Sequence, residues 1–84
     1  MNNVAPPPDP ADAFVTQARL HYRMAKEDWA HLSPLAAATL IVVFSGRVRI
    51  AAGVPVDKWQ SMPAFQLNQY ARAFNMGNRD KEKL

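Results

Sequence analysis

Two histidines and seven carboxylates are the side chains in this 84-residue chain to weigh first for chemistry, and it holds no cysteine. An imidazole can ligate a metal, move a proton or assist a nucleophile, and each role needs a second group close by. His21 and His31 stand ten positions apart, about 15 Å along one helix, too far to share a metal ion. No serine or threonine lies three or four positions from either, so neither has a nucleophile beside it on its helical face. Asp28 lies three before His31, which makes an ordinary helix contact. The carboxylates fall mostly near the chain ends and at helix starts, and no two pair in a way that would raise a pKa for acid catalysis. Gly46, Gly53 and Gly77 are too scattered for a phosphate loop or a dinucleotide turn. Lacking cysteine, the chain has no disulfide, thiolate or iron-sulfur ligand. This inventory predicts no enzyme, no cofactor and no metal site.

Binding is the remaining class, and the elements decide what surface is offered. Ten Lys plus Arg against seven Asp plus Glu give a net charge of +3, compatible with nucleic acid, an acidic protein or an anionic surface. Residues 1–9, MNNVAPPPD, read as a flexible Pro-rich arm, and 77–84, GNRDKEKL, as a charged disordered tail. A single helical domain over 10–76 is expected between them. The N-terminus has neither a basic stretch nor an apolar one, so it does not read as a secretory signal, and a cytoplasmic location is expected. The longest nearly apolar run, Leu35 to Phe44, spans about 15 Å as a helix, half of a hydrocarbon core, so no membrane partner is expected.

Asp9 and Pro10 form a helix start, and the first helix is expected to run to about His31. Val15, Ala18, Tyr22, Ala25, Trp29 and Leu32 recur at spacings of three and four on one stripe, with Arg19, Arg23 and Lys26 as a cationic ridge elsewhere. Ser33 and Pro34 repeat the start signal. The segment LAAATLIVVF that follows is apolar on nearly every helical face, and the helix continues to a terminating Gly53. A β-hairpin over 39–51, turning at Ser45 and Gly46, is the rival for this stretch. Pro55 and Pro63 bracket a short turn that drops Trp59 and Met62 onto the core. Ser61 then caps a last helix carrying Leu67, Tyr70 and Phe74 inward and ending at Gly77. The fold class is thus all-α, a small helical bundle of three main helices plus one short helical turn.

One stretch points to a named activity. Val48 and Ala52, the turn residues Gly53 and Val54, then Trp59 and Met62 follow the rhythm of a helix-turn-helix, and RIAAGVPVDKWQSM resembles that motif of bacterial DNA-binding proteins. The resemblance implies a basic nucleic-acid-binding protein whose second helix presents Asp57, Lys58, Gln60 and Ser61 to a major groove. It departs from the motif at Arg49, where a small residue is usual, and at Pro63, which ends the second helix early.

A geometric argument favours a different reading. A helix apolar all round needs neighbours on every side, and the other segments of this chain supply too few. An apolar patch is expected to remain and to bind a second copy or another protein. The candidate interface residues are Trp29, Arg47, Arg49 and Trp59, with Arg19, Arg23 and Lys26 facing an acidic partner. The sequence therefore predicts a non-catalytic protein-protein interaction module, such as an adaptor, assembly chaperone or inhibitor of the kind phages and mobile elements encode. Nucleic-acid binding through 48–62 is the alternative.

Overall fold

The computed structural model describes the backbone of residues 10–82 and the side chains of 11–79; the Pro-rich arm, the Asp9 cap and the last side chains of the tail lie outside that part. Five helices follow one another: α1 (Pro10–His21), α2 (Lys26–Ala30), α3 (Pro34–Ala52), α4 (Val56–Gln60) and α5 (Ala64–Glu82). No strand occurs among the described residues, so the fold is all-α, with three long helices and two short ones.

The first helix does not reach His31. It stops at His21 because Arg23 takes a left-handed φ of 57°, which no helix interior accommodates. Arg23 N–H donates to Leu20 O at 3.1 Å and Met24 N–H to Arg19 O at 3.0 Å. The Arg19 guanidinium then donates to Met24 O at 3.0 Å and holds the turn shut. Val15 through Leu32 therefore cannot form one continuous stripe, and Arg19, Arg23 and Lys26 do not form one ridge.

α3 is one unbroken helix through Ser45 and Gly46, which removes the hairpin alternative. Ser33 Oγ accepts from Ala36 N–H at 3.1 Å, Pro34 occupies the first turn, and Gly53 closes the end at φ 71°. An 18-residue window of this 19-residue element has a mean hydropathy of 1.7, so by length and composition it could cross a membrane, unlike its ten-residue apolar run alone. Only Phe44 and Val48 in it are buried.

α5 outruns its expected end. Gly77 lies inside the helix, and Gly53 is the glycine with a positive φ among the described residues. An interior glycine costs about 1 kcal/mol relative to alanine, a penalty that packing along α1 can offset. Ser61 does not cap α5 either. Its hydroxyl donates back to Asp57 O and Lys58 O, both at 3.2 Å, so it belongs to the end of α4.

The element bounds expose an internal repeat. α2 and α4, and likewise α3 and α5, begin and end thirty positions apart. The same offset joins Phe14, Phe44 and Phe74; Arg19, Arg49 and Arg79; and Trp29 with Trp59. It also joins the two left-handed residues, Arg23 and Gly53. The Arg19 clamp on Met24 O has its counterpart in Arg49, whose guanidinium donates to Val54 O at 3.1 Å. Each unit is a left-handed turn, a short tryptophan-bearing helix and a long helix.

The long helices meet at the repeated phenylalanines. Phe44 is fully buried, with Phe14 at 5.5 Å and Phe74 at 6.0 Å between ring centroids. Ala18, Val48, Ala71 and Trp59 complete the buried core, with Tyr22, Trp29, Met62, Leu67 and Tyr70 packed around it. Trp59 Nε1 donates to Ser45 Oγ at 2.9 Å, satisfying the indole as it enters the core. Tyr22 ties the first turn to α3 by donating to Leu40 O at 2.9 Å. α1 and α5 run side by side in the same direction. Ala11 and Phe14 share a cleft with Ala64 and Leu67, while Asn75 Nδ2 donates to Gln17 O and Oε1, both at 2.9 Å.

Candidate functional site

Two surfaces stand out from this framework. The first is the outer face of α3, opposite Phe44 and Val48. Leu35, Val42 and Ile50 are 77%, 69% and 69% exposed, and Val43 lies beside them. Their spacing puts them on one stripe with Thr39 and Gly46 between. Thr39 Oγ1 donates to Leu35 O at 2.8 Å, so its hydroxyl is spent within the helix and its methyl extends the apolar strip. At Gly46 the surface is open, leaving a hollow in the middle of the strip.

The repeat shows that the fold does not require this chemistry. The position of Val42 is occupied on α1 by Asp12 and on α5 by Arg72, both exposed. Gly46 corresponds to Thr16 and Met76. One architectural station therefore carries an acid, a valine and a base on the three long helices, and only α3 presents a continuous aliphatic face there.

The second surface is a cleft of about 820 Å³ between α1 and α5. Leu20 and Met76 contribute exposed apolar groups, Arg23, Arg72 and Arg79 contribute charge, and the hydrogen-bonded Gln17 and Asn75 join its walls.

The residues singled out in the sequence are dispersed by the fold. Trp59 is buried and hydrogen-bonded, so changing it would test folding rather than an interface. Trp29 is half-buried against the core. Arg19 and Arg49 close the turns that follow their own helices. Lys26 opens α2 and is exposed. Arg47 is exposed at the flank of α3, and Arg23 lines the α1–α5 cleft. The helix-turn-helix segment has a second helix, α4, of five residues with its tryptophan turned inward, which leaves few side chains for a groove. Leu35, Val42, Val43 and Ile50, and the pair Arg72 and Arg79, were not among the expected contacts. The thirty-residue period was the available signal for them, since it identifies which positions on each long helix point outward.

His21 lies at the joint between the cleft and the core. Its ring packs against Tyr22, Phe44 and Phe74 at 4.9, 5.1 and 5.5 Å between centroids. Its Nε2 lies 2.9 Å from Arg47 Nη1. A guanidinium can only donate, so Nε2 accepts and the neutral ring carries its proton on Nδ1. Burial, and next the positive charge of Arg47, lower its pKa from the ordinary 6.5. The unfolded chain then takes up the His21 proton more readily than the folded one. This contribution to stability is complete above pH 6.5 and is lost as pH falls through the lower folded value. Thermal melts followed by circular dichroism should show the midpoint dropping from pH 7.5 to pH 5, with a smaller drop in His21→Gln. An equal drop in both chains would assign the effect to other groups.

Among the described residues no three His, Asp or Glu side chains gather to hold a metal ion. No protein-family model, curated protein or solved structure matches the chain.

Proposed function

We propose that this protein is a non-catalytic interaction module, an adaptor, assembly chaperone or inhibitor, which pairs with a second copy through the outer face of α3. The observation that carries this reading is the aliphatic strip from Leu35 to Ile50, set at a station where α1 and α5 bear Asp12 and Arg72. Exposed aliphatic surface that the fold could replace with charge is a cost in water, and a partner removes it. Two such faces laid together would bury on the order of 1,000 Å², about the minimum for a specific interface. Antiparallel pairing suits the strip: Val42 of one helix enters the hollow at Gly46 of the other in the manner of a knob in a hole. It also opposes the helix dipoles and sends the two sets of Arg47 and Arg49 to opposite ends.

Because the chain has no cysteine, single substitutions can report this geometry directly. Val42→Cys, near the centre of α3, should give a covalent dimer in high yield with a short bismaleimide. Leu35→Cys should couple to Ile50→Cys but not to itself, and the exposed Glu27→Cys should stay single. Equal, low yields at Val42 and Glu27 would remove the self-pairing reading. So would monomeric chains that float with anionic vesicles, since they would give the α3 face to lipid.

A further inference from the structure

The α1–α5 cleft is lined by neither α3 nor any residue of its outer strip, so what binds there is independent of the pairing above. Its shape follows from two helices running in parallel. On α5, Arg72, Met76 and Arg79 are spaced by four and three and share one face; on α1, Leu20 and His21 follow Gln17 by three and four and share another. Leu20 and Met76, 53% and 60% exposed, form an apolar floor between cationic rims. Among the described residues no carboxylate lines the cleft, and neither Arg72 nor Arg79 meets an acidic partner. The walls are held by the two hydrogen bonds from Asn75 to Gln17, which fix the helix spacing without a ligand.

We propose that this cleft docks an acidic amphipathic helix of a partner protein. Such a helix places apolar side chains at i and i+3 or i+4 on Leu20 and Met76, and its flanking carboxylates accept from Arg72 and Arg79. Methionine suits the floor because its unbranched, polarisable side chain adapts to the shape of what it meets. The same cations could meet phosphates, but the lining has no Phe, Tyr or Trp on which a base could stack. The one aromatic ring there, His21, is already packed against Tyr22, Phe44 and Phe74. An apolar floor between arginines matches a peptide better than a nucleic-acid strand.

The test uses the full chain and a fluorescein-labelled helical peptide of alanine, leucine and glutamate with leucines at i, i+4 and i+7, read by anisotropy. Saturable binding is expected, and it should weaken at least tenfold in Arg72→Glu with Arg79→Glu and several-fold in Leu20→Ser. Val42→Asp with Ile50→Asp, on the other surface, should leave it unchanged, which separates this result from the fate of the α3 pairing. Circular dichroism establishes that each variant is folded. The proposal falls if the acidic peptide does not bind, if a lysine-for-glutamate counterpart binds equally well, or if folded arginine variants retain full affinity. It also falls if a single-stranded oligonucleotide binds more tightly with the same arginine dependence.

Discussion

Placing aspartate at both Val42 and Ile50 is expected to leave the chain as helical as before and strictly monomeric. The fold should tolerate the change because the repeat already carries Asp12 at the station of Val42, and both side chains point away from Phe44 and Val48. The interface should not. Burying an aliphatic side chain contributes about 1.5 to 3 kcal/mol, and a twofold interface loses two such groups from each copy. Four carboxylates would also have to leave water without partners. Together these effects exceed the roughly 4 kcal/mol that corresponds to a thousandfold change in affinity. Circular dichroism gives the helicity and light scattering the mass; a variant that remains dimeric would place the interface elsewhere.

Phe44→Ala should have the largest effect on folding. Its ring is fully buried and stacks edge-on with Phe14 and Phe74, so one side chain joins all three long helices. Truncating a buried phenylalanine to alanine costs about 3 to 5 kcal/mol, of which part is the cavity left when neighbours cannot collapse. A chain of this size holds only about 4 to 13 kcal/mol in total. Phe44→Ala should therefore lose from about a quarter to all of that stability, whereas Phe65→Ala, whose side chain is exposed, should change stability by about 0.5 kcal/mol or less. Urea unfolding followed by circular dichroism measures both. Similar losses at the two positions would contradict a core centred on the repeated phenylalanines.

Much of the fold could be read from local signals. Ser33, Pro34 and Gly53 bound α3 because each satisfies a specific need of a helix end, and those needs do not depend on the rest of the molecule. Trp59, Met62, Leu67, Tyr70 and Phe74 turn inward as their spacing requires. The all-round apolar character of LAAATLIVVF foretold that α3 would lack cover, and Leu35, Val42 and Val43 are its uncovered large apolar residues.

Other features were hidden for identifiable reasons. The break after His21 rests on an arginine in a left-handed conformation, with the Arg19 guanidinium stabilising the turn, and no glycine or proline marks it. Comparison of Arg23 with Gly53, thirty positions on, would have revealed it. Gly77 misled in the opposite sense, since a glycine within a packed helix costs little enough to be tolerated. The tryptophans and arginines carry the residue types of an interface, yet Trp59, Arg19 and Arg49 serve the fold itself. The α1–α5 cleft depends on contacts such as Gln17 with Asn75, 58 positions apart, which no local pattern encodes.

The uncovered face of α3 is most directly tested by sedimentation equilibrium of the unmodified chain from low micromolar to near-millimolar concentration. A mass rising to twice the 9.4 kDa of one chain, and staying there in half-molar salt, is the expected result. A mass that remains at one chain throughout would contradict the pairing.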